Sequence, residues 1–165
     1  MKVWNIVKIT CGLIATAFLV ACGDSTTYYQ IENQHSGFYL STGGTTESGS
    51  GLVQQSAPEG DNGLWELVEA GDDVYQIRSK QSQLYISAID GQNAALEQIA
   101  EPGENALWEK VELDGDNAGY IQFTTNGTAQ AQSINTAGST AEDGAIRSAH
   151  TGLGAGSYWK LVEVE

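Results

Sequence analysis

The sequence contains two similar copies of one motif: LWELVEAGDDVYQIRS from Leu64 to Ser79, and LWEKVELDGDNAGYIQF from Leu107 to Phe123. In both copies an aromatic and aliphatic run is followed by an acidic turn and then by a second run led by Tyr. Apolar and polar residues alternate within the runs, and Asp and Gly separate them, which is typical of β-strands joined by turns. The repetition predicts a fold assembled from copies of one β unit.

A third, more divergent copy extends the repeat over most of the chain. The units cover about residues 28–70, 74–113 and 119–165. Each unit opens near a Tyr, at intervals of 46 and 45 positions, and closes on a Trp, the landmarks being Tyr29, Tyr75 and Tyr120, and Trp65, Trp108 and Trp159. Each unit divides into four short alternating runs, and no window after residue 21 has sustained helical spacing, so we predict an all-β protein.

Three units of four strands are compatible with propeller blades or with a β-trefoil, but propellers have about four to eight blades. The order of motifs within a unit resembles the ricin-type β-trefoil (R-type lectin) repeat: Tyr-x-Ile, Ser-Gly-x-Tyr-Leu, apolar-Gln-Gln and Asn-x-x-Trp-x-Leu-Val. The resemblance covers residues 28–165. It implies an all-β β-trefoil of three four-stranded repeats with pseudo-threefold symmetry, in which the repeated Trp and Tyr residues build one core by thirds.

The resemblance also implies positions for a sugar site. Sugar-binding members of the family have an Asp after Tyr-Leu, a polar residue in the third strand, an aromatic platform two positions later and an Asn before the closing Trp. A carboxylate and an amide suit sugar hydroxyls, and a ring packs on the apolar side of a pyranose. The carbohydrate-binding candidates at or beside these positions are Ser41, Gln54 and Asn62 in the first unit, and Asp90, Glu97 and Asn105 in the second.

This sequence departs from the family pattern at several of these positions. Ser41 and Ser87 replace the Asp, and the platform positions hold Ser56, Ile99 and Ala149. The third unit has AQAQ in place of Tyr-Leu, Arg147 at the polar strand position and Gly156 before the Trp. We therefore expect no galactose site of the standard kind. Asp90, Glu97 and Asn105 of the second unit are the best candidates for a shallower polar site.

Other interpretations of these residues remain open. Asn62 and Asn105 suit backbone hydrogen bonds in the turn before the last strand. Tyr39 and Tyr85 are expected in the core. A trefoil with this many departures also fits a module that has lost sugar binding and contacts an envelope protein.

Neither catalysis nor a cofactor is predicted from the sequence. His35 and His150 have no recognisable nucleophile or metal-ligand pattern around them. Asp114, Asp116 and Asn117 have oxygen spacing reminiscent of a calcium loop, but the expected Glu at its twelfth position is missing, which favours a plain turn. We predict a protein that is not an enzyme and has no metal site.

The first 21 residues are predicted to be an export signal. Lys2 and Lys8 precede an apolar run over residues 9–20, shorter than the roughly 20 residues of a membrane-spanning helix. LVAC at residues 19–22 resembles the bacterial lipobox, which implies cleavage before Cys22 and its acylation. Residues 22–27 would then form the lipidated end and a short tether. The alternative is a secreted protein in which Cys22 has no such role.

The charge of the chain limits its partners. The 165 residues have a formal net charge of −14, and loss of Lys2 and Lys8 would make it −16. Nucleic acid is excluded as a natural partner because it requires a basic surface. We interpret the charge as a means of solubility rather than as a cation-binding surface. We expect a monomer held by Cys22 at the bacterial cell envelope, at the outer rather than the inner membrane because Gly23 is not the Asp of the familiar retention signal.

Overall fold

The computed structural model describes residues 26–89, 93–126, 131–150 and 154–164. The export signal, Cys22 and candidate Asp90 lie outside these residues. Strands and short 3-10 turns form the regular structure of the described part, which confirms the all-β prediction. Its helical turns are three residues long, and none could cross a membrane.

The strands fall into three successive groups. The first consists of β1 (Tyr28–Asn33), β2 (Tyr39–Ser41), β3 (Val53–Gln55) and β4 (Trp65–Gly71). The second consists of β5 (Val74–Ser79), β6 (Tyr85–Ala88), β7 (Leu96–Ile99) and β8 (Trp108–Glu112). The third consists of β9 (Ile121–Thr125), β10 (Gln132–Asn135), β11 (Gly144–Ala145), β12 (Arg147–His150) and β13 (Trp159–Val164). The third group therefore has one two-residue strand more than the predicted four.

Antiparallel pairing closes six strands into a barrel. β1 pairs with β4, β4 with β5, β5 with β8, β8 with β9, β9 with β13, and β13 with β1. The other long strands form three hairpins, β2–β3, β6–β7 and β10–β12, one from each group. Backbone bridges join neighbouring hairpins at Gly51 and Glu97, Ala95 and Arg147, and Gly144 and Gln54. The arrangement is the predicted β-trefoil, with a hairpin cap over one end of the barrel.

The three Trp residues that close the units occupy equivalent places in the core. All are fully buried. Each indole Nε1 donates to a carbonyl of the adjacent hairpin: Trp65 to Leu40 at 2.9 Å, Trp108 to Ile86 at 3.0 Å and Trp159 to Ile134 at 2.9 Å. Because the same bond is formed three times, the repeated Trp ties each barrel strand to the cap of its own unit.

The Tyr landmarks are less regular than the sequence suggested. Tyr29 pairs with Trp65 and Tyr75 with Trp108, but Trp159 pairs with Ile121 rather than with Tyr120. The longer acidic turn between β8 and β9 shifts the opening Tyr one residue ahead of its equivalent place. The expectation for two further Tyr residues also fails, because Tyr39 and Tyr85 lie half-buried outside the core cluster.

Lys110 breaks the symmetry of the barrel interior. Leu67 and Leu161, each two residues after a closing Trp, pack against the core, and Lys110 takes the same place in the second unit. Its ammonium lies 5.8 Å from the ring centroid of Tyr75 and 3.1 Å from a carboxylate oxygen of Glu112. The hydrogen bond to Glu112 raises the pKa of Lys110 above its ordinary value, although partial burial opposes the shift.

Candidate functional site

A cleft of about 570 Å³ opens at the surface of the second unit. It lies between the β6–β7 hairpin and the turn that precedes β8. Its walls are formed by Ser87, Ala88, Ile89, Glu97, Ile99, Gly103, Glu104 and Asn105. The structure thus brings together two candidates that are eight positions apart, Glu97 and Asn105. Asp90, the third candidate of this unit, follows Ile89 in the chain but lies outside the described residues.

Strand alternation explains which side chains line this cleft. In β7 the buried Leu96 and Gln98 alternate with the half-buried Glu97 and Ile99, so the latter two share the outer face. Ser87 lies directly opposite Glu97 across the hairpin. The cleft therefore combines a hydroxyl and a carboxylate from facing positions of two paired strands.

A single 3-10 turn places Asn105 at the other wall. The turn covers Glu104–Ala106, with hydrogen bonds from Ala106 N to Gly103 O at 3.1 Å and from Leu107 N to Glu104 O at 3.2 Å. Trp108 follows at once and is anchored in the core. Because the anchor and the turn are adjacent, the position of Asn105 relative to the β6–β7 hairpin is well defined.

Three polar side chains of the cleft have no partner in the described part of the protein. Among the described residues, Glu97, Glu104 and Asn105 form no side-chain hydrogen bond or ion pair. The Ser87 hydroxyl has a long contact of 3.3 Å to the carbonyl of Ala88. Ile89, which is 40% exposed, and Ile99 form an apolar wall. The arrangement offers carboxylate and amide groups for hydroxyls beside a small apolar surface.

The first-unit candidates have a different environment. Ser41 is fully buried and donates its hydroxyl to the side-chain oxygen of Gln55 at 2.7 Å. Asn62 is half-buried, and its backbone carbonyl accepts the Thr42 N–H at 3.0 Å. In this unit the serine is therefore engaged within the protein, and the backbone of Asn62 helps hold the turn.

The structure places Gln54 one position away from the site that the motif order predicted for it. The β2–β3 register places Val53 opposite Ser41, so Val53 corresponds to Glu97, and Gln54 corresponds to the buried Gln98. A shift of one residue moves a strand side chain to the opposite face, which is why the sequence alignment failed here. The platform position of the first unit is accordingly Gln55 and not Ser56.

Gln54 braces the hairpin cap instead. It is fully buried; its side-chain oxygen accepts a hydrogen bond from the Ser36 hydroxyl at 2.7 Å, and its amide donates to the carbonyls of Ser139 at 2.9 Å and Ala141 at 3.1 Å. Ser82 and Gln98 form the same 2.7 Å bond in the second unit. The recurrence of this Ser and Gln pair is a sequence signal that could have identified the structural role.

The third unit keeps none of the cleft groups. Asn135 lies opposite Arg147, so these residues correspond to Ser87 and Glu97. The Arg147 guanidinium donates to the carbonyl of Asn93 in the second unit at 3.1 Å. The residues equivalent to Tyr39 and Leu40 are Ser133 and Ile134, not part of the AQAQ segment that the sequence suggested.

The described part of the chain contains no group of three His, Cys, Asp or Glu residues that could hold a metal ion. The segment considered as a calcium loop forms a 3-10 turn over Gly115–Asn117. His35 is exposed in the turn between β1 and β2, far along the chain from His150 in β12.

Known structures share this architecture. The chain superposes on the designed threefold-symmetric protein ThreeFoil with a TM-score of 0.74 and 27% identity, over 83% of this chain and 99% of that one. An exo-β-1,3-galactanase from Clostridium thermocellum gives a TM-score of 0.74 and 25% identity over 86% of this chain but 31% of the enzyme, so this chain spans about a third of its length. A ricin B-like lectin from Macrolepiota procera, solved in complex with lactose, gives a TM-score of 0.68 at 19% identity, over 83% and 95% of the chains, and supports the fold alone.

No curated protein sequence matches the chain. A family model described as a ricin-type beta-trefoil lectin domain-like family matches residues 15–100, which is just over half of the 165 residues. The match includes the first unit and the second as far as β7. The chain belongs to the ricin-type β-trefoil lectin domain-like family.

Proposed function

We propose that this protein binds carbohydrate noncovalently, without catalysis, through the cleft of the second unit. The observation that carries the proposal is a set of polar side chains around one cleft, Glu97, Glu104 and Asn105, which have no partner within the described part of the chain. Buried polar groups of a fold are normally satisfied internally, whereas these face solvent within a concave surface. The volume of about 570 Å³ lies within the range of about 300–1,000 Å³ common for small-ligand sites.

The cleft suits a sugar held mainly by hydrogen bonds. A carboxylate accepts hydrogen bonds from adjacent hydroxyls, and the Asn105 amide adds a donor and an acceptor. Ile89 and Ile99 provide the apolar wall that an aromatic ring provides in family members. Because a stacked ring contributes about 1 kcal/mol beyond its buried area, we expect affinity several-fold weaker than that of a lectin with a ring.

The relatives support the same ligand class. The Macrolepiota procera protein is described as a lectin in complex with lactose, and the Clostridium thermocellum protein acts on a β-1,3-galactan. Fold likeness does not transfer a specificity, so the proposal is limited to a glycan or polysaccharide.

The anchoring part of the proposal rests on Cys22. We propose that the mature chain begins there, is acylated and is held at the outer membrane of the bacterial envelope. Five residues separate Cys22 from Tyr28, a reach of about 18 Å when extended. Strand β1 starts beside the C-terminal end of β13, and its far end meets the hairpin cap through Asn33 N to Phe38 O. If the lipid is attached at Cys22, this orientation would turn the open barrel end towards the membrane and the cleft of the second unit away from it.

Two experiments test these statements. Glycan-array binding by residues 23–165 should be lost in Glu97→Gln and Asn105→Ala but kept in Asn62→Ala, the matched control in the first unit. Retention of binding in the second-unit variants would reject the site.

For the anchor, the full chain expressed in bacteria should partition into detergent, and Cys22→Ser should move it to the aqueous phase. A wild-type chain that is already aqueous would reject lipidation.

A second candidate function is protein interaction at the envelope. The described residues that line the cleft include no aromatic side chain, which favours this function. It predicts that a folded domain is silent across the array while chemical crosslinking in cells captures one envelope protein through the same face.

A further inference from the structure

The pseudo-threefold axis allows the cleft of the second unit to be compared with its equivalent in the first. The hairpin registers equate Ser41 with Ser87, Val53 with Glu97, and Gln55 with Ile99. The turns before the Trp residues equate Asp61 with Glu104 and Asn62 with Asn105, since each pair stands at the same distance from β4 or β8. We infer that only one of the three pseudo-equivalent positions is a sugar site, because the position in the first unit is closed by Gln55, which is held by Asp143 of the third unit.

The closing contact is a chain of two hydrogen bonds. The Ser41 hydroxyl donates to the Gln55 side-chain oxygen at 2.7 Å, and the Gln55 amide donates to an Asp143 carboxylate oxygen at 2.8 Å. In the second unit the Gln55 position is Ile99, which cannot form such a bridge. The Gln55 side chain therefore occupies, beside Ser41, the space that is open beside Ser87 in the second unit.

Two further polar positions of the cleft are also less available in the first unit than in the second. Asp61 forms an ion pair with Lys80 at 3.0 Å, whereas its equivalent Glu104 is unpaired among the described residues. Val53 supplies no polar group where the second unit has Glu97. Thus the first unit has used or lost the groups equivalent to Ser87, Glu97 and Glu104. The side chain of Asn62, like that of Asn105, forms no hydrogen bond among the described residues.

The third unit holds Gln55 in place through the loop before β11. Strand β11 pairs with β3, and Asp143 N donates to Gln54 O at 2.9 Å. The Ser56 N–H donates to both carboxylate oxygens of Glu142, at 3.1 and 3.2 Å. A Cβ at Gly144 would lie 2.6 Å from the Ser139 hydroxyl oxygen, so the close approach of this loop requires glycine.

The described residues of the third unit offer no substitute site at the equivalent position. Arg147 replaces Glu97 and is directed to the Asn93 carbonyl, and Gly156 lies where the second unit has Asn105. A Cβ at Gly156 would lie 3.2 Å from the side-chain oxygen of Asn135. Asn135 thus lies against the place that an Asn105-like side chain would need.

The single site rests on the proposed function, and it sets the number of glycan chains that one molecule can bind. A one-site protein cannot crosslink two glycan chains. Strong attachment to a polymer would then come from many anchored copies acting together rather than from one molecule. The protein is a tethered receptor and not an agglutinin.

A ligand-free experiment tests the closure first. In ¹⁵N NMR spectra of residues 23–165, the Gln55 side-chain amide should exchange with water at least tenfold more slowly than that of Gln76, whose side chain forms no hydrogen bond among the described residues. Asp143→Ala should remove most of this protection without changing the spectrum of the second unit. If the Gln55 amide of the wild type exchanges as fast as that of Gln76, the first-unit position is not closed, whatever the ligand.

Calorimetric titration then counts sites, with lactose and the disaccharide of glucosamine as probes. We expect one site per chain in the wild type, none in Asn105→Ala, and two in the double variant Val53→Glu, Gln55→Ile, with near-ultraviolet circular dichroism confirming that each is folded. Two or three sites in the wild type would overturn the inference and leave the proposed function intact. If neither the folded wild type nor the folded double variant binds either probe, both the single-site inference and the proposed function are rejected.

Discussion

The most specific structural prediction concerns replacement of each core Trp by Phe. Trp65, Trp108 and Trp159 are fully buried and form the same indole to carbonyl bond at 2.9–3.0 Å. If the trefoil core is built by thirds, the three substitutions should destabilise the protein by similar amounts. A core with one dominant unit would instead show one large effect and two small ones.

The magnitude follows from two losses. Removing the indole N–H leaves a buried carbonyl without its donor, which costs about 1–3 kcal/mol. Reducing the bicyclic ring to a phenyl ring removes packing and leaves a small cavity, which adds about 1–2 kcal/mol. We expect a loss of about 3 kcal/mol for each variant. With an unfolding entropy of about 2.1 cal/mol/K per residue over about 140 residues, this lowers Tm by about 10 °C.

Guanidinium titrations followed by circular dichroism measure the loss, because the Trp signal itself changes in the variants. Tyr39→Phe is the matched control: Tyr39 is half-buried, and its hydroxyl has no hydrogen-bond partner among the described residues. That variant should lose less than about 0.5 kcal/mol. A spread of more than 2 kcal/mol among the Trp variants, or an effect no larger than the control, would refute the equivalence.

Three further predictions concern stability and selectivity. Lys110→Leu restores the Leu found in the other units and should raise the free energy of unfolding by about 1 kcal/mol at pH 7, as measured by urea titration. Since the pKa of Lys110 is raised by folding, the stabilisation from its charge is present below its unfolded pKa of about 10.4 and is lost as pH rises through the folded value. The difference in free energy of unfolding between Lys110→Leu and the wild type should therefore increase above a pH of about 10.4. A difference that decreases would contradict a raised pKa of Lys110. Gln54→Ala should cost about 2–3 kcal/mol yet leave glycan affinity within twofold, and a loss of binding at unchanged stability would return Gln54 to the site. Glu97 and Glu104 should exclude sugars bearing a carboxylate and favour a free amine over its acetylated form by about 1 kcal/mol, an advantage that 1 M salt removes; equal affinities in dilute buffer would contradict this.

The architecture was predictable because the repeat is long and has strong landmarks. The three Trp residues occupy equivalent positions in the three units. The alternation of apolar and polar residues around each Trp identifies the strand without any knowledge of its tertiary contacts. Glu97 and Asn105 could be brought to one cleft because the unit that contains them follows the family spacing closely.

The remaining details depend on contacts that a single sequence does not display. Gln54 and Gln55 are adjacent, and only the hairpin register decides which of them faces inward. The contact of Gln55 with Asp143 joins residues 88 positions apart. Tyr120 was misplaced because a longer acidic turn shifts its unit, and Lys110 looks like an ordinary surface residue until the barrel gives it an inward position.

The direct test of a sugar site in the second unit is ¹⁵N chemical-shift mapping of residues 23–165 during titration with a glycan that the domain retains on the array. We predict saturable shifts confined to the β6–β7 hairpin and the turn at Glu104–Ala106, with Asn105 side-chain resonances among the most perturbed. Shifts centred on the first or third unit, or at the open end of the barrel, would contradict the account.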